Sequence, residues 1–148
     1  MTGELTLAAQ DAEDLEIISA RLQDAVAQVK DLVWLPRARR FAALFNRFKW
    51  EDAEHDKRAA LRVRSGLRFE GVLSVKSSRI SRGDRNGVLS LLAIGYSRNS
   101  AEDPAGRVEL VFSGGGTIVL EVEYLDAELT DVSGAWAARG RPAHQAES

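Results

Sequence analysis

The residues with most chemistry to offer are three glutamates set among alternating apolar side chains: Glu109, Glu121 and Glu123. If Gly114-Gly115-Gly116 forms a three-residue hairpin loop, which glycine favours because one position needs a positive φ, Ser113 faces Thr117. Phe112/Ile118, Leu110/Leu120 and Val108/Val122 then pair on one face, with Glu109 opposite Glu121 and Arg107 opposite Glu123 on the other. Two facing carboxylates can raise each other's pKa and serve as acid and base, or hold a divalent cation. Arg107, diagonal to Glu121, would relieve that repulsion and leave an ordinary solvated strand face. The glycines themselves make no phosphate loop, because a β-branched strand, Thr117-Ile-Val-Leu-Glu121, follows them instead of a helix N-terminus.

A second constellation is basic and aromatic. Phe45-Asn-Arg-Phe-Lys-Trp50 interleaves rings with cations, a pattern suited to nucleic-acid strands stacked on a sheet. Alternation puts Arg47 and Lys49 on the face of Phe45, and Asn46 and Trp50 on the face of Phe48. With Arg39 and Arg40 beside them, these residues could offer a basic surface to phosphates. The plainer reading makes the aromatics core and lets the long basic stems cover it. Further along, Arg139-Gly-Arg-Pro142 has the form of an AT-hook core without its usual flanking basic residues. His55 and His144 have no partner at triad or metal spacing.

Other chemistries are closed off by composition. The chain has no cysteine, which removes disulfides, thiolate nucleophiles and zinc or iron–sulfur sites, and two histidines cannot build a multi-histidine centre. We expect neither metal nor cofactor. No apolar run approaches the roughly 20 residues that cross a bilayer, and Met1-Thr-Gly-Glu-Leu5 does not read as a secretory signal, so a cytoplasmic location without membrane partners is expected. The net charge of −2 conceals an asymmetry: −5 over residues 1–36, +8 over 37–85 and −5 over 86–148. A basic middle between acidic flanks implies either internal pairing or an exposed face for an anionic partner.

The elements that must position these residues follow from periodicity. Asp11 can cap a helix over residues 11–24, with Leu15, Ile18, Leu22 and Ala25 on one face. Leu5 and Leu7 alternate as a first strand. Leu32 to Leu35, a turn at Pro36 to Arg39, and Phe41 to Trp50 read as strand, turn, strand, the second apolar on both faces. Extended segments follow at 61–69, 72–80 and 88–96, with Gly71 as a bend and loops at 51–58, 81–87 and 99–106. Beyond the hairpin, Leu125, Leu129, Val132 and Trp136 have helical spacing and predict a short C-terminal helix, although Thr130, Asp131 and Gly134 are weak helix formers.

Six pieces together resemble one family: Ser19-Ala-Arg-Leu-Gln-Asp-Ala25, Asn46-Arg-Phe-Lys-Trp-Glu51, Leu67-Arg-Phe69, Gly115-Gly-Thr-Ile-Val-Leu-Glu-Val-Glu123, Leu129-x-Asp131 and Arg141-Pro-Ala-His144. It is a family of short alphaproteobacterial proteins known as a domain of unknown function, and the resemblance covers nearly the whole chain. It implies a single-domain bacterial cytoplasmic protein and carries no activity, cofactor or catalytic residue. It points to the 46–51 segment and to Arg141 and His144 as places for a common site.

The expected architecture is therefore one α+β domain over residues 1–138 with a flexible tail at 139–148. Its sheet is antiparallel, of about seven strands, curved or partly closed, with an N-terminal helix and a short C-terminal helix placed to plug one end in the manner of a pleckstrin-homology barrel. The leading functional expectation is a non-catalytic binding or regulatory module for a protein or small ligand. The alternatives are a nucleic-acid or anion-binding module using the basic 37–68 segment, and a carboxylate-dependent hydrolase or lyase. Candidate binding residues are Arg39, Arg40, Asn46, Arg47, Lys49, Trp50, Arg141 and His144.

Overall fold

A computed structural model of the chain describes residues 5–48 and 62–132, and these form ten antiparallel strands and one α-helix. The order is β1 (Thr6–Ala9), α1 (Ala12–Arg21), β2 (Val26–Gln28), β3 (Leu32–Leu35), β4 (Arg40–Phe48), β5 (Arg62–Glu70), β6 (Val72–Ser78), β7 (Val88–Arg98), β8 (Gly106–Phe112), β9 (Thr117–Val122) and β10 (Ala127–Asp131). One-turn 3-10 helices stand at Val29–Asp31 and Ser113–Gly115. Along the sheet the strands run β1-β10-β5-β4-β2-β7-β8-β9-β6, with β3 also on β4. The ends of that order, β1 and β6, do not pair, so the sheet is open and does not close into a barrel.

The helix begins where its cap requires. Asp11 is extended, at φ −144° and ψ 172°, and its carboxylate accepts the Asp14 amide proton at 2.8 Å. Leu15, Ile18, Leu22 and Ala25 are all buried, as their spacing predicts. Ser19 Oγ accepts the Ile94 amide proton at 2.9 Å and ties the helix to β7.

Strand β4 organises the molecule. One edge pairs with β5 over the whole of Arg40–Phe48. The other edge is divided: β3 takes Arg40 to Ala43, and β2 takes Asn46 before passing on to β7. The short helix at 29–31 is the kink that lets one run of chain serve two strands. Phe41, Ala43, Phe45 and Arg47 point inward and are buried, whereas Ala42, Leu44 and Asn46 are half-buried.

Two expectations are corrected. The C-terminal helix does not exist at 127–131, where β10 lies between β1 and β5. Leu125, Ala127, Leu129 and Asp131 are buried at a period of two, and Val132 is half exposed. The helical spacing of Leu125, Leu129 and Val132 is a coincidence that the open edges of two strands override. Trp136 and the tail fall outside the described residues. The second correction is the strand count, ten instead of about seven; β2 and β10, of three and five residues, are additions too short to announce themselves.

The hairpin keeps its faces and shifts its register. The loop is Ser113–Gly115, not 114–116, closed by the Phe112 amide donating to the Gly116 carbonyl at 2.8 Å. Gly114 and Gly115 hold φ of 86° and 95°, the positive values only glycine adopts freely, while Gly116 is extended. Val108 therefore faces Leu120 and Leu110 faces Ile118. A slip of two residues preserves parity, so Val108, Leu110, Phe112, Ile118, Leu120 and Val122 all stay inside.

Candidate functional site

The register decides the fate of the glutamates. Arg107 stands opposite Glu121, with Nε 3.1 Å from its carboxylate, and Glu109 stands opposite Val119. Glu123 is hydrogen-bonded to Arg39. The expected juxtaposition of Glu109 and Glu121 is thus corrected, and two of the three carboxylates are held by guanidinium groups. Among the described residues no three acidic or histidine side chains converge to hold a metal ion.

The candidate basic residues separate into different places. Arg40 Nε donates to Glu70 at 2.9 Å; Arg68 Nε lies 2.8 Å from the same carboxylate, and Arg68 Nη2 lies 2.6 Å from Glu128. The result is a ladder across β4, β5 and β10 in which Arg40 and Arg68 share Glu70 of the same central segment and Arg68 also meets Glu128 from the acidic C-terminal part. Asn46 is half-buried between Val26 and Arg64. Lys49, Trp50, Arg141 and His144 lie outside the described residues.

Arg47 is in the interior and fully buried. Its Nε donates to Ser65 Oγ at 3.1 Å and to Asp131 Oδ1 at 3.2 Å, and its Nη2 donates to Asp131 Oδ2 at 3.0 Å. Ser65 donates to Asp131 Oδ1 at 2.6 Å, and the Leu5 amide donates to Oδ2 at 3.0 Å. Burial alone would raise the Asp131 carboxyl, but the hydrogen bonds from Arg47, Ser65 and Leu5 and the arginine charge outweigh it and hold the group below its ordinary value. Strand alternation puts Arg47 on the face of Phe45 but does not mark that face as the inner one, and no local pattern singles out Asp131 or Ser65. Two of the six recognisable pieces of sequence, 46–51 and 129–131, meet in this ion pair.

Two concavities lie near β4. On its outer face, Val33, Ala42, Leu44, Gly66 and Val132 floor a groove of about 380 Å³. Of the two cations that line it, Lys30 and Arg68, the second is already paired with Glu70 and Glu128, and the chain continues from Val132 beyond the described residues. The second, of about 240 Å³, opens into the core at the mouth of the curved sheet. Trp34 and Phe41, a cross-strand pair of the β3–β4 hairpin, form one wall. Val75, Ile80 and Ile118 form the facing wall, and Arg82 and Arg85 stand at the edge on the loop that follows β6. Phe41 and Ile118 are fully packed, whereas Leu32, Trp34, Val75 and Ile80 pack on the core with one side uncovered. No residue of α1, β1 or β10 lines this cleft. Sequence signals for it were slight: Trp34 alternating with Leu32, and arginines in a loop read only as a loop.

A family model described as protein of unknown function (DUF2948) matches residues 5–144. The chain belongs to that family. The match spans both halves of the Arg47–Asp131 pair and every element that lines the cleft. No curated protein and no solved structure matches the chain. No helix of the described residues is long and apolar enough to cross a membrane.

Proposed function

We propose that this chain is a non-catalytic binding module that holds a small ligand in the cleft between the β3–β4 hairpin and the β6–β9 pair. The observation that carries the reading is the uncovered inner layer: Trp34, Leu32, Val75 and Ile80 abut a packed core and line open space. Apolar walls with a few polar groups at the edge are the usual composition of a small-molecule site. A volume of about 240 Å³ is somewhat below the roughly 300–1,000 Å³ of sites for drug-sized ligands, so one ring or a short chain fits. Among the described residues the lining holds no carboxylate, histidine or lysine, and its one hydroxyl, that of Ser77, has no adjacent base there. That composition supports binding over catalysis. The pairing of Arg39, Arg40 and Arg68 with glutamates leaves the basic hairpin less charge to present to nucleic acid.

The test is a titration with benzyl alcohol followed by amide and indole NMR shifts. Perturbations should gather at Trp34, Val75 and Ile80, and Trp34→Ala should remove them while Val33→Ala, on the opposite face of β3, should not. Shifts scattered over the surface, or none, would sink the reading.

A further inference from the structure

We infer that the cleft selects an anion: a soluble aryl or short-chain alkyl group carrying a carboxylate or phosphate, whose charge is met by Arg82 and Arg85. This rests on the binding reading above and specifies its ligand. The central observation is a contrast in how arginines are used. Arg39, Arg40, Arg47, Arg68 and Arg107 each meet a carboxylate within the chain. Arg82 and Arg85 meet none among the described residues, although both line an apolar cleft.

The acidic groups nearest in sequence form no ion pair with them. The Asp84 carboxylate is turned to Gly87, with Oδ2 3.1 Å from where a side chain on that glycine would begin. Asp31 borders the groove on the outer face of the sheet instead. Arg79 adds a third positive charge to the same loop, its guanidinium lying against Gly115.

The loop carrying the two arginines is anchored at its backbone. The Lys30 amide donates to the Arg85 carbonyl and the Val29 amide to the Gly87 carbonyl, both at 2.9 Å. Asp84 donates to Ser81 at 3.1 Å and Gly87 to Asp84 at 2.9 Å, closing two successive turns. Val29 itself lines the cleft, so these bonds hold the base of Arg85 beside it. Guanidinium groups present planar forks that match the oxygens of carboxylate and phosphate. Beside apolar walls, where water is displaced, that attraction is stronger than on an open surface. Two forks over an aromatic floor therefore define a ligand with a charged head and an apolar body.

The experiment compares phenyl phosphate, phenylacetate, benzyl alcohol and inorganic phosphate on the full chain by NMR titration. The two aryl anions should bind about tenfold or more tighter than the alcohol, the size expected of charge-assisted hydrogen bonds. The gap should shrink at about 0.5 M sodium chloride, where the charges are screened. In Arg82→Ala/Arg85→Ala the anions should fall to the level of the alcohol, and Arg82→Lys/Arg85→Lys should restore part of the difference. Both arginines are exposed, so unchanged thermal midpoints are expected and would show that the variants fold. Equal binding of alcohol and anions overturns the inference and leaves the cleft reading intact. No binding by any aryl compound removes both. Inorganic phosphate binding as tightly as phenyl phosphate, or binding to phosphatidylglycerol vesicles without binding to the free anions, also overturns it.

Discussion

Arg47 and Asp131 show how far one buried charge constrains its surroundings. Each has no exposed side-chain surface, and the two are joined by two hydrogen bonds with Ser65 between them. Asp131→Asn should take from the buried guanidinium the counter-charge that Asp131 supplies and cost about 3–5 kcal/mol in urea unfolding. Replacing the pair together, Arg47→Met with Asp131→Leu, should recover most of that loss, because an apolar pair of similar volume needs no desolvation. The acid side gives a separate check. Since the folded Asp131 carboxyl is held below its ordinary value, its contribution is full above the unfolded carboxyl's pKa and disappears as pH falls through the folded pKa. Unfolding free energies measured from pH 7 down to pH 3 should therefore drop more steeply in the wild type than in the double variant.

At the scale of elements, turns and short strands carry more than their length suggests. Gly71, at φ +68°, turns the chain from β5 into β6, and a side chain there would start 2.7 Å from Cζ of Tyr124. Gly71→Ala should cost about 2 kcal/mol or more, from the left-handed backbone and the ring contact together. Adding Tyr124→Ala removes the contact but not the backbone strain, so the pair should be less damaging than the sum of the singles in a double-mutant cycle. Strand β10 is the other test. Its amides at 127–131 should resist hydrogen exchange as those of β5 do, and Thr130→Pro, in a strand paired on both sides, should abolish folding detected by circular dichroism.

The whole molecule is held by pairings between distant parts of the chain. Thr6 pairs with Thr130, and the Leu5 and Asp131 backbones exchange bonds with their partner's groups across the same gap. Such closure must await the folding of most of what lies between. Refolding by stopped-flow should occupy milliseconds to seconds, as in other domains dominated by non-local β pairing, and microsecond relaxation would contradict the topology. The open sheet also has a functional consequence. Because β3 pairs with β4 and β6 with β9 but β3 and β6 do not pair with each other, the inner layer at Trp34 and Val75 is left uncovered, and that space is the cleft proposed above for a ligand.

Much of the local structure was legible in the residues alone. The cap at Asp11, the buried face of α1, the turn at Pro36, the bend at Gly71 and the inward set of the 107–122 hairpin all depend on neighbours a few positions apart, where periodicity and glycine chemistry suffice. The hairpin's register escaped by two residues because a shift of two leaves its hydrophobic pattern unchanged. Tertiary structure alone decided that Arg47 is sealed against Asp131, that residues 127–131 form a strand, and that Arg82 and Arg85 border a cleft. Each of those outcomes depends on which strands become neighbours, and the local pattern that makes a strand does not specify its partner.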